Sequence, residues 1–148
     1  MRLKKITMKI IAIIGGGNTG KTITIRHISG RTGITQFNLR MIGGDIKTFV
    51  QVPQSPQEGV KVLPEELNDI LLNHPTTDYA IIAFRINRVG IAPGYEEYLT
   101  FLQSSGHTIE HVFNMGAMLP LHFTPIIIPP NAGSNIRANE IKRIIGIQ

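Results

Sequence analysis

The sequence contains no cysteine. Disulfide bonds, thiolate nucleophiles and zinc–thiolate sites are therefore excluded together. No apolar run approaches the roughly 18 residues that a membrane-spanning helix needs, so we expect no membrane span. The basic and then apolar start is interrupted by Lys9 and offers no small-residue cleavage site. These features argue against a secretory signal, and we expect a cytoplasmic protein.

Charged residues are also few, at 17% of the chain, and the basic ones are scattered despite a net charge of +5. Without a dense basic block or interleaved aromatic residues, nucleic acid is not an expected partner. The 148 residues, 42% of them hydrophobic, suffice for one buried core. We expect a single domain over 1–148, too small for a barrel enzyme of roughly 250 residues.

Apolar patterning predicts strands that alternate with helices. Continuous apolar runs typical of buried strands are found at 9–14, 79–84 and 125–128, and 109–113 is also predicted as a strand. Helical spacing or helix start and stop signals are found at 20–29, 63–74, 93–105 and 134–145. Alternating residues at 36–41 and a strand at 46–52 predict an antiparallel hairpin near the sheet edge, because parallel strands need a longer connection. The predicted fold is a three-layer α/β/α domain with a mostly parallel sheet and one antiparallel strand.

One segment carries a phosphate-binding pattern: Gly15-Gly16-Gly17-Asn18-Thr19-Gly20-Lys21-Thr22 fits G-x-x-x-x-G-K-[ST]. Glycines let the backbone curl so that its N–H groups point at phosphate oxygens, and the following helix adds its positive N-terminus. Lys21 would reach the β- and γ-phosphates, and the Thr22 hydroxyl would bind magnesium. The dinucleotide pattern G-x-G-x-x-G also matches, but no acidic residue ends the strand predicted at 36–41.

With this loop, the chain resembles the P-loop NTPases and is most similar to the small Ras-like GTPases along nearly its whole length. The resemblance implies a P-loop NTPase fold that binds ATP or GTP with Mg²⁺ through Gly15 to Thr22. It also implies that Lys21 acts in catalysis. Because the chain has no room for a further domain, we expect a protein partner to read its nucleotide state.

The hairpin at 36–52 is similar to the one that leads to the magnesium-linked switch of the Ras-like family. Gln51 stands where that family has a magnesium-binding aspartate, and a neutral amide binds a hard cation less well. Gln54 and Glu58, together with Gln57, are nearby substitutes for the family's water-positioning glutamine. A solvated loop is the competing interpretation for these three residues.

The base-recognition motif of the family, N-K-x-D, keeps only Asn114, which we take as the candidate base contact. Without the aspartate, the choice between guanine and adenine stays open. Thr32 and Thr35 are alternative switch threonines. The chain also resembles the ATPases related to dethiobiotin synthetase and the Mrp/MinD partition proteins, although Gly16 replaces the additional loop lysine of some of them.

Three functions are compatible with these residues. The first is binding of a nucleoside triphosphate with slow, magnesium-dependent hydrolysis, and the second is binding without appreciable hydrolysis, because Gln51 replaces the acid. The third is a small-molecule kinase, which would need an arginine-rich lid. Arg85 and Arg88 follow the strand at 79–84 and either contact phosphate or form a plain basic loop.

A zinc-protease pattern, H-x-x-E-H, is matched by His107-Thr108-Ile109-Glu110-His111. The pattern requires a helix, whereas 109–113 is predicted as a strand. On a strand the two histidines would lie about 13 Å apart, at roughly 3.3 Å per residue. We therefore do not expect a metal site here.

Overall fold

The computed structural model describes residues 7–16, 20–58, 62–115, 123, 125–128 and 133–148. In these residues the strands are β1 (Lys9–Gly15), β2 (Thr35–Arg40), β3 (Ile46–Val52), β4 (Tyr79–Arg85), β5 (Thr108–Asn114) and β6 (Ile126–Ile127). The helices are α1 (Lys21–Ser29), α2 (Pro64–Leu72), α3 (Tyr95–Ser104) and α4 (Ser134–Ile145).

The strands form a single sheet in the order β2-β3-β4-β1-β5-β6. Every neighbouring pair is parallel except β2 and β3, which form the predicted antiparallel hairpin with β2 at the edge. The mostly parallel α/β sheet with one antiparallel strand is therefore confirmed. β1 lies in the middle of the sheet, and six of its seven residues are buried.

Two apolar cores lie on opposite faces of the sheet, as strand geometry requires when alternate residues point to opposite sides. On one face, Ile10, Ala12 and Ile14 of β1 pack with residues of α2 and α3. On the other face, Ile11 and Ile13 pack with residues of α1 and α4. The helices thus form an outer layer on each side of the sheet, which is compatible with a three-layer α/β/α fold.

Local sequence signals explain where the helices begin and end. α2 starts at Pro64, whose fixed φ suits the first helical position, and the Glu66 carboxylate accepts the Leu63 N–H at 3.0 Å. α1 ends at Ser29 and is capped by Gly30, which adopts the left-handed conformation with φ 71°. On α1, Ile25 and Ile28 are buried but Ile23 is exposed, so its isoleucines do not form one buried stripe. No helix in the described part of the chain combines the length and apolar character needed to cross a bilayer.

Candidate functional site

The candidate phosphate loop connects the central strand to the first helix. β1 ends at Gly15, Gly16 follows, and α1 begins at Lys21. Gly20 precedes the helix in the left-handed conformation with φ 83°, which a residue with a side chain rarely adopts. Gly17, Asn18 and Thr19 lie outside the described residues. The carboxyl end of the central strand and the N-terminus of α1 therefore meet at the predicted site.

Lys21 is the best-defined side chain of this site. It is only 6% exposed, and its ammonium donates to the Gly16 carbonyl at 2.7 Å and lies 3.5 Å from the Gly15 carbonyl. Burial lowers the pKa of Lys21, while Glu58 acts to raise it and Arg85 to lower it. The cation thus lies across the end of β1, in the electrostatic field of one carboxylate and one guanidinium.

Thr22 links the helix to the segment that follows β3. Its hydroxyl donates to the Pro53 carbonyl at 2.7 Å, and the residue is exposed. Because the hydroxyl hydrogen is engaged by Pro53, the oxygen lone pairs remain the groups that could bind a cation.

The segment 53–58, here called the β3–α2 segment, is not the solvated loop of the competing interpretation. Gln57 is fully buried, donating to the Arg85 carbonyl at 2.8 Å and accepting the Arg85 N–H at 3.0 Å. Glu58 forms an ion pair with the Arg85 guanidinium at 3.2 Å. Gln54, in contrast, is exposed. The solvated interpretation is therefore right for Gln54 and wrong for Gln57.

Arg85 is the last residue of β4 and lies level with Gly15 in the parallel register of β4 and β1. Pairing of β3 with β4 ends at Ile82, so among the described residues no strand covers the Arg85 backbone on that side. The Gln57 amide bonds this backbone instead. Arg85 does not lie in a plain basic loop, because it pairs with Glu58. Arg88, three residues further on, is exposed.

Gln51 does not stand beside the phosphate loop as the family resemblance implied. β4 lies between β3 and β1, so the strand that carries Gln51 is not adjacent to β1. Its side chain is fully buried, and its amide donates to the Arg31 carbonyl at 3.1 Å and the Gly33 carbonyl at 2.9 Å. Gln51 therefore holds the connection from α1 to β2.

Asn114 ends β5 on the other side of β1 and is fully buried, level with Ile14. Its backbone carbonyl accepts the Ile128 N–H at 2.9 Å, which joins β5 to the end of β6. The alternative switch threonines lie elsewhere, Thr32 exposed before β2 and Thr35 at the start of β2. Asn114 is thus the predicted base contact that lies at the same sheet edge as Lys21.

Arg137 is a site residue that the sequence analysis did not single out. It lies in the first turn of α4 and is 9% exposed, and one of its terminal nitrogens lies only 2.5 Å from where a Cβ on Gly20 would be. A cation in the first turn is disfavoured by the helix dipole. That mismatch is the signal in the sequence that could have drawn attention to it.

The two histidines of the zinc-protease pattern have different surroundings in the structure. His107 is buried, and its ring nitrogens contact the Met8 N–H at 3.1 Å and the Asn68 side-chain oxygen at 2.7 Å. His111 lies on β5 and stacks on Phe113, with ring centroids 5.6 Å apart. Glu110 is exposed. The two histidines thus have separate partners.

No protein-family model, no curated protein and no solved structure gives a significant match to this chain. The arguments for function therefore rest on the site itself.

Proposed function

We propose that this chain binds a nucleoside triphosphate at the carboxyl end of β1, through the loop from Gly15 to Thr22. One observation carries the proposal: Lys21 starts α1 as a buried ammonium that lies across the backbone carbonyls of the preceding glycines. Burying a cation costs free energy unless it is well compensated. A phosphate group beside the helix N-terminus would compensate it, with the backbone N–H groups and the helix dipole acting in the same direction.

Mg²⁺ fits the same site through Thr22. The Thr22 hydroxyl gives its hydrogen to Pro53, so its oxygen can bind a hard cation that also coordinates phosphate oxygens and water. Bound Mg²⁺ would neutralise part of the phosphate charge. This support for a P-loop NTPase is chemical, and it comes from the donor and acceptor groups of α1 and the β3–α2 segment.

The strand ends favour a second candidate, which is binding without appreciable hydrolysis. β4, the neighbour of β1, ends in Ala83, Phe84 and Arg85, and Gln51 of β3 is committed to two backbone carbonyls. All ten acidic residues of the chain lie in the described ranges, and Glu58 is the one whose charge acts on Lys21. A fast phosphoryl-transfer site usually has a carboxylate that binds magnesium directly. If hydrolysis occurs, Glu58 and Gln54 are the residues that could orient water, and we expect it to be slow.

Calorimetric titration with ATP and GTP, each with and without Mg²⁺, tests the proposal and identifies the preferred base. We expect Lys21→Ala to weaken triphosphate binding roughly 10- to 100-fold, because a hydrogen bond to a charged group contributes about 1.5–3 kcal/mol. Lys47→Ala is the matched control, since Lys47 lies near the start of β3 at the opposite edge of the sheet. Unchanged affinity in Lys21→Ala would overturn the proposal. Release of inorganic phosphate then separates slow hydrolysis from binding alone.

A further inference from the structure

The Arg85–Glu58 ion pair lies beside the candidate phosphate loop and is exposed enough for a ligand to replace Glu58 as the partner of Arg85. The two side chains are 34% and 35% exposed, so water reaches both and the pair contributes little to folding. Arg85 is level with Gly15 in the sheet, and both charges act on Lys21. The pair therefore lies at the same end of the sheet as Lys21, near enough for both of its charges to act on the Lys21 ammonium.

The surrounding contacts fix the backbone of this pair and leave its side chains free to change partners. The Gln57 amide holds both the N–H and the carbonyl of Arg85. Thr22 holds the other end of the β3–α2 segment through Pro53. An exchange of partner at the Arg85 guanidinium consequently needs rotation of side chains and no loss of these backbone contacts.

A terminal phosphate is a stronger partner for arginine than a single carboxylate. It carries up to two negative charges and presents several oxygens to the planar guanidinium, which can bind two of them at once. Glu58, in turn, repels an incoming phosphate at short range. The carboxylate therefore competes with the ligand for Arg85 and also opposes its approach.

We propose that Arg85 binds the terminal phosphate of a nucleoside triphosphate and leaves Glu58 to do so. This inference rests on the proposed function, because it requires the nucleotide to bind at Lys21. Arg85 then distinguishes triphosphate from diphosphate, since a diphosphate lacks the group that Arg85 contacts. The ligand must replace Glu58 at Arg85, so the Glu58 carboxylate lowers the affinity for triphosphate.

The test measures affinity for ATP, ADP, GTP and GDP with Mg²⁺ in four proteins: the wild type, Arg85→Gln, Glu58→Gln and Arg88→Gln. We expect Arg85→Gln to weaken triphosphate binding about tenfold and diphosphate binding less than twofold. We expect Glu58→Gln to strengthen triphosphate binding roughly two- to fivefold, a direction that damage to the fold cannot produce. Arg88→Gln removes the same charge from an exposed position and should leave the ratio of the two affinities unchanged.

The outcomes separate this inference from the proposed function. If the wild type binds no nucleotide, both are wrong. Suppose that the wild type binds nucleotide and Lys21→Ala does not. If Arg85→Gln then lowers the affinities for triphosphate and diphosphate equally, or behaves like Arg88→Gln, only the exchange is wrong. A decrease in triphosphate affinity in Glu58→Gln would also overturn the exchange.

Discussion

Gln51→Asp is the substitution that would restore the family's magnesium-binding acid if Gln51 stood at the metal position. The structure predicts a loss of stability instead. The Gln51 amide donates to the Arg31 and Gly33 carbonyls at 3.1 and 2.9 Å, and the side chain is fully buried. An aspartate removes both donors and turns a carboxylate toward the same carbonyl oxygens, with β4 separating it from the phosphate loop.

The magnitude follows from these contacts. Losing two hydrogen bonds costs about 1 kcal/mol each, and burying a carboxylate without a partner adds several kcal/mol. We expect the free energy of unfolding of Gln51→Asp to fall by about 4–6 kcal/mol. Typical domains have only about 5–15 kcal/mol in total, so the variant should be close to unfolding.

Urea unfolding followed by circular dichroism measures this loss, and phosphate release measures any gain of hydrolysis. Gln51→Met is the matched control, because it removes the donors without adding charge and should cost about 1–3 kcal/mol. The reasoning is refuted if Gln51→Asp keeps the stability of the wild type and gains magnesium-dependent phosphate release. That result would mean that Gln51 does occupy the metal position.

Two further predictions concern the start of α1 and the α2–α3 face. Gly20→Ala and Gly30→Ala should each lower the free energy of unfolding by about 1–2 kcal/mol, as measured by urea unfolding. Both glycines are left-handed, and a Cβ on Gly20 would meet only the flexible end of the Arg137 side chain, whereas a Cβ on Gly30 would meet open space. A loss at Gly20 several kcal/mol larger than the loss at Gly30 would therefore contradict this reasoning. Burial, and then glutamates in the first turns of α2 and α3, raises the pKa of Tyr98 to about 12 from an ordinary value of 10.0. Between about pH 10 and pH 12 the unfolded chain therefore binds fewer protons at Tyr98 than the native chain does. The free energy of unfolding should consequently fall as pH rises from about 10 to about 12. Urea titrations at several pH values should show that Tyr98→Phe abolishes this fall.

The elements of the fold follow from local sequence signals. The helical spacing of Tyr95, Tyr98, Leu99 and Leu102 predicts α3, and all four side chains are buried. The short connection between 41 and 46 predicts an antiparallel hairpin, because chain length alone excludes a parallel pair. These signals need no knowledge of the rest of the chain, which is why the sequence is sufficient to predict them.

The order of the parallel strands is not encoded locally. β3 and β4 are connected through α2, and nothing in their residues states whether β3 or β4 lies next to β1. The family resemblance led to Gln51 as the residue beside the loop, whereas the sheet order places the end of β4 there. Gln57 shows the same limit, since its burial depends on the uncovered backbone of Arg85, a residue 28 positions away.

The sheet order also changes the meaning of the scattered basic residues. Lys21, Arg85 and Arg137 are far apart in sequence, yet α1, β4 and α4 bring them to the same candidate loop, where Lys21 and Arg85 act on each other. Glu58 is the carboxylate whose charge acts on Lys21, and it is already paired with Arg85. A site with this excess of positive charge should bind a polyanion more favourably than a metal cation alone. The basic side chains repel one another, and an anion between them removes that repulsion. Under the proposed function, this balance would favour phosphate binding without an added acid, and the missing acid would affect hydrolysis instead.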